Sequence, residues 1–152
     1  MHFSTVGAVI LATLCASSQA WEVVAYDNVY GCNANGNTRY RSITGASSLT
    51  GCQTFDNDMP GTGCREYQNG GATNGGCVSG SLIPMSVILR GGRCVIFNQP
   101  GCQGNYADSN GPVNGCSDFR AYEWGKIRSF WCSGCKSSSS SVCSKTVVLI
   151  VI

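Results

Sequence analysis

Ten cysteines that follow a removable leader constrain this chain more than anything else in it. Residues 1–20 read as a secretory signal: Val6 to Leu14 is an apolar run too short to span a bilayer, and Ser18-Gln19-Ala20 places small residues three before and one before a cut at Ala20/Trp21. The n-region carries only His2, and Leu14 is too large for the residue preceding a lipoprotein Cys15, so Cys15 leaves with the leader. The remaining chain has 152 − 20 = 132 residues and 11 − 1 = 10 cysteines. In an oxidising compartment ten cysteines imply five disulfides. A chain this short makes one domain with a modest core. Each bridge then contributes about 2–4 kcal/mol, largely by restricting the unfolded chain.

Cleavage also removes His2, the only histidine. A Ser-His-Asp triad, a Cys-His dyad and a histidine zinc site are all excluded. Ten Lys/Arg against eight Asp/Glu leave a net charge of +2, with no basic block to follow phosphates, so nucleic acid is not an expected partner. Arg39 with Arg41, and Arg90 with Arg93, come nearest to clusters. They read as solvated strand edges that discourage aggregation, or as weak attraction to an anionic surface. No Asn-x-Ser/Thr sequon is present, so N-glycosylation is not expected.

Short apolar runs between Gly/Pro/Asn clusters predict an antiparallel all-β domain. Candidate strands are Trp21–Tyr26, Tyr40–Gly45, Ser86–Leu89, Cys94–Phe97 and the run Ile127–Cys132. No segment holds a helical period, and 20 glycines work against helix. Residues 56–81, rich in Gly, Asn, Asp, Ser and Thr around Cys64 and Cys77, read as a disulfide-pinned excursion. Ser86-Val87-Ile88-Leu89 parallels Ser129-Phe130-Trp131-Cys132, as though 21–91 and 92–133 were two copies of one motif.

Within the second copy, Phe97, Cys102 and Gly104 have the spacing of an aromatic, four residues, a bulky residue, one residue and Gly. This resembles the hairpin signature of a βγ-crystallin Greek key, with Cys102 where that family usually has an aromatic. Trp124-Gly125-Lys126-Ile127-Arg128-Ser129 lies where the family places its calcium sequence, and Ile127 and Ser129 match it. The resemblance implies a disulfide-stabilised antiparallel Greek-key sandwich, βγ-crystallin-like, over 21–133. It implies no calcium site, because Trp124 and Gly125 replace the Asn/Asp pair and Arg128 replaces the hydroxyl ligand, and a cation there opposes a dication. No cofactor or other metal is expected. Spacing does not fix connectivity. Pairing neighbours gives Cys32–Cys52, Cys64–Cys77, Cys102–Cys116 and Cys135–Cys143, and Cys94–Cys132 would tie the first and last strands of the second motif.

For function, Trp124, Tyr122 and Arg128 form the candidate binding surface. Exposed aromatics stack on sugars or settle at a membrane interface, whereas a buried Trp124 would simply plug the base of the motif. Trp131, in a terminal strand, reads as core. The acids Asp56 with Asp58, and Asp118 with Glu123, are the only route to acid/base chemistry, and in Asn/Gly loops they read as turn formers. Cys132-x-x-Cys135 reads as structural in a secreted chain rather than as a redox dithiol. Residues 134–152 are a Ser-rich linker and an apolar tail, able to add an edge strand or to lie free as an aggregation hazard. The chain as a whole resembles fungal small secreted cysteine-rich proteins, some of whose crystallin-like members resemble killer toxins. The reading is a secreted, non-enzymatic protein acting by surface binding, killer-toxin-like or effector-like, on a cell-wall polysaccharide or membrane. A structural wall or matrix protein is the first alternative, and a small carboxylate-dependent hydrolase the second.

Overall fold

Two antiparallel sheets enclose one core in the computed structural model, which describes residues 21–46, 51–80, 82–109, 115–118, 124–134 and 147–148. The expected leader, Cys135, Cys143, Tyr122 and Glu123 lie outside the described residues. The first half supplies β1 (Trp21–Tyr26), β2 (Tyr40–Gly45), β3 (Gln53–Thr54), β4 (Gly63–Gln68), β5 (Thr73–Gly76) and β6 (Ser86–Arg90). The second supplies β7 (Arg93–Gln99), β8 (Gln103–Ser109), β9 (Cys116–Asp118) and β10 (Ser129–Ser133), and the tail adds β11 (Val147–Val148). A single 3-10 turn, Asn69–Gly71, is the one helical element among the described residues.

The strand orders are β5-β4-β2-β1-β6-β9 and β11-β8-β7-β10-β3. In each half the closing strand returns beside the first, so β6-β1-β2 and β10-β7-β8 share one order. The short third strand of each half does not stay with its own sheet: β3 joins β10, and β9 joins β6. The halves are therefore interlocked. Period-two alternation decides what fills the space between the sheets. Trp21, Val23 and Ala25 of β1, Ile43 of β2 and Val87 and Leu89 of β6 meet Cys94 and Ile96 of β7 and Phe130 and Cys132 of β10 in one buried cluster. Trp21 meets Phe130 edge-on at 5.9 Å, and Gly45, opposite Trp21 in the ladder, leaves room for an indole that any Cβ there would strike.

Interlocking overturns two of the five expected disulfides; the expected Cys135–Cys143 lies outside the described residues. Cys64–Cys77 and Cys94–Cys132 form as expected, but Cys32 bonds Cys116 and Cys52 bonds Cys102, in place of Cys32–Cys52 and Cys102–Cys116. The reason is topological. Cys32 and Cys102 follow the first strand of each half, both at positive φ (51° and 58°), while Cys52 and Cys116 sit at the third strands that cross to the opposite sheet. Each turn cysteine thus meets the crossing strand of the other half.

The repeated serines have matching roles. Both are fully buried: Ser86 donates to the Val29 carbonyl, and Ser129 donates to Gln99 while accepting from the Cys102 amide at 2.8 Å. Each closing strand is so bonded to the turn of its own first hairpin. Gly104, at φ 79°, is required because a Cβ there would collide with the Asn98 carboxamide, which accepts from the Asn105 amide.

The excursion at 56–81 is more ordered than its composition implies. It contains the β4–β5 hairpin, which extends the first sheet, with Cys64–Cys77 across it. Its anchor is Arg41, which the sequence placed on a solvated edge. Arg41 is fully buried: Nε donates to Glu66 Oε2 at 2.9 Å, Nη1 to the carbonyls of Phe55 and Asn57, and Nη2 to that of Val78. Position 41 alternates inward on β2, so the side chain reaches under the excursion and satisfies carbonyls that no strand pairs.

Candidate functional site

The segment bearing Trp124 and Arg128 is stitched into the base of the domain from three directions. The Ile127 amide donates to Pro84, the Arg128 amide to Phe97, and the Phe55 amide to the Arg128 carbonyl, at 2.8–2.9 Å. Gly125 at φ 64° turns the chain, and the Lys126 amide closes on the Trp124 carbonyl. Ile127 is wholly buried, and Trp124 is half-buried, packed on the edge of the core cluster. The Arg128 guanidinium donates to Asp56 Oδ2 at 2.6 Å, both groups remaining about one-third exposed. Trp124 and Arg128 thus come from one short stretch and share one corner, with Trp124 acting partly as packing.

The carboxylates go to arginines. Glu22 pairs with Arg90, Asp27 with Arg39, Asp56 with Arg128, Glu66 with Arg41 and Asp108 with Arg93, accounting for five of the eight acids. Each of these five carboxylates has an oxygen engaged by a guanidinium. Among the described residues no group of three or more Cys, Asp or Glu side chains is placed to hold a metal.

The aromatics divide differently from the sequence reading. Trp21 is core, but Trp131 is not: it alternates outward from Phe130 on β10, half-buried, with the Arg93 guanidinium 5.8 Å from its ring centroid. Hydrogen bonding to Asp108 raises the Arg93 pKa above its ordinary value. On the outer face of the other sheet, register brings three tyrosines into a row that sequence reasoning missed. Tyr26 lies opposite Tyr40, and Tyr40 opposite Tyr67. The centroid separations are 5.4 Å and 4.6 Å, the second pair being stacked at 9°. Gly71 of the 3-10 turn lies against the Tyr40 hydroxyl, where a Cβ would not fit. Burial pushes the Tyr26 phenol up, with nearby Arg90 partly opposing. The available signal was a tyrosine at or next to an end of each of three strands. Using it requires knowing that β4 pairs with β2.

A family model described as "Secreted LysM effector LysM14, C-terminal domain" matches residues 21–144. The chain belongs to that family. It is accordingly a small secreted, cysteine-rich, effector-like protein, and its disulfides fit an extracellular location. No curated protein and no solved structure matches the chain.

Proposed function

We propose that the protein is a non-enzymatic secreted effector that works by binding a neutral cell-wall polysaccharide with its surface. The observation that carries this reading is the fate of the charges. Arginines hold five carboxylates, which disfavours acid/base hydrolysis, and those carboxylates in turn occupy the guanidiniums that would otherwise attract phosphate or acidic lipid. Half-exposed aromatic rings and amides remain as the means of binding, and they suit a neutral, hydroxyl-rich chain. Family membership supports the effector role. The domain boundaries proposed from the sequence go with it: leader 1–20, domain 21–133, tail 134–152. The two interlocked halves, each closing its fourth motif strand beside its first, and their buried Ser86 and Ser129 support a crystallin-like scaffold, with the β4–β5 hairpin inserted in the first half.

The test is sedimentation of the secreted chain with insoluble chitin, β-glucan and cellulose, alongside anionic vesicles and a growth assay on yeast. Retention on one or more glycans, with none on vesicles and no turnover of soluble oligosaccharides, is the expected result. Retention on vesicles alone, or released reducing ends, overturns the reading.

A further inference from the structure

Resting on that reading, we infer that the glycan is taken at the edge of the first sheet, on the free face of Tyr67 above β5, by a neutral β-linked pyranose chain. Tyr26, Tyr40 and Tyr67 stand on adjacent strands, and Asn74 of β5 lies opposite Tyr67. Tyr40 and Tyr67 are parallel and share one pair of faces. Because β4 lies between β2 and β5, the second face of Tyr67 turns toward β5. That strand reads Thr-Asn-Gly-Gly and is exposed throughout; Asn74, opposite Tyr67, and Gly76, opposite Arg65, lie on the tyrosine face, and nothing stands within 4 Å of a Cβ added at Gly76. The last ring of the stack therefore looks over a floor made by the Asn74 amide and the open backbone at Gly76.

The surroundings select the ligand. The stacked rings bear no charge. Arg65, on the same face beside the floor, donates to Asn74 Oδ1 at 3.2 Å, which orients the amide and leaves its NH2 to meet a hydroxyl. Arg39, at the other end of the row, is held by Asp27. An aromatic face with one oriented amide and a single guanidinium at its side matches a pyranose whose equatorial substituents leave a flat C–H face and whose hydroxyls take both donors. A single-stranded nucleic acid would need a line of cations as well as rings. Tyr40 and Tyr26 back Tyr67 from behind, and Gly71 closes on the Tyr40 hydroxyl, so the ring is set before the ligand arrives.

Two variants on this face and one elsewhere test the assignment, using the secreted chain and a soluble β-linked hexasaccharide of whichever glycan it sediments with. Tyr67→Ala is expected to weaken binding about 10-fold, the size of one stacking contact. Gly76→Leu is expected to do the same by covering the floor, although its Cβ meets nothing in the folded chain. Gln103→Ala, at an exposed position of β8 on the other sheet, is expected to leave this binding unchanged. All three are checked for an unaltered thermal midpoint. Wild-type binding that both sheet variants retain overturns the site while leaving the proposed function standing. A wild-type chain that binds no glycan overturns both. A single-stranded oligonucleotide that binds and is lost with Tyr67→Ala overturns the sugar assignment.

Discussion

Removing the Cys32–Cys116 bridge, by Cys32→Ala with Cys116→Ala, tests the interlocked topology most directly. The two cysteines are 84 residues apart, and closing a loop of that length in an unfolded chain is worth about 4.6 kcal/mol at 25 °C. The bridge is not alone, however. Cys52–Cys102 already ties the same two regions, so the loop that Cys32–Cys116 adds consists of the 20 residues from Cys32 to Cys52 and the 14 from Cys102 to Cys116. A loop of about 34 residues is worth about 3.8 kcal/mol. The local bridge Cys64–Cys77, with a separation of 13, is worth about 2.9 kcal/mol. The double variant is therefore expected to lose about 1 kcal/mol more than the Cys64→Ala, Cys77→Ala chain. The assay is urea unfolding followed by fluorescence of Trp21, which is buried on Phe130 and changes environment when the sheets part. Non-reducing peptide mapping of the parent chain accompanies it. A cost equal to or below that of the local bridge, or peptides joined as Cys32–Cys52, would refute the crossing of the third strands.

Three further outcomes are expected. Arg41→Met leaves the Glu66 carboxylate buried without its cation, and urea unfolding should show a loss of about 3–5 kcal/mol; adding Glu66→Leu should restore only part of it, because the carbonyls of Phe55, Asn57 and Val78 still lack the guanidinium. Ser129→Ala strips the Cys102 amide and the Gln99 carbonyl of a partner at a fully buried position, which should cost about 1–3 kcal/mol; a neutral result in the same assay would mean that water replaces the hydroxyl. Tyr26 has a raised phenol pKa, so its stabilising contribution is complete below the unfolded value of about 10 and is lost as pH rises through the folded value. Stability should fall with pH above about 10, less steeply in Tyr26→Phe, as read by thermal midpoints across an alkaline series.

Local pattern carried the strands. Trp21–Tyr26 and Tyr40–Gly45 are strands with the bounds read from their alternation and flanking turns. The Ser86 and Ser129 runs close their respective halves, and Phe97, Cys102 and Gly104 mark a real hairpin. These features depend on neighbours along the chain: alternation, turn residues, one hydroxyl within reach of one hairpin. The expected leader over 1–20, which would take His2 with it, is likewise read from the sequence alone, and so is the cysteine excess that implies secretion.

Tertiary structure decided whatever depends on which strand lies beside which. Pairing neighbouring cysteines succeeded for Cys64–Cys77, whose hairpin is local, and failed for Cys32 and Cys102, because their partners arrive from the other half. Arg41 reads like any strand-edge arginine until the excursion folds over it and supplies three carbonyls. Trp131 belongs to an apolar strand, but period two turns it outward beside a buried Phe130. The tyrosine row exists only because β4 adds to β2, in a register that 17 residues of intervening chain do not encode by spacing. Sequence fixes which faces are apolar. The assembly of two sheets, each completed by a strand from the opposite half, determines what those faces meet.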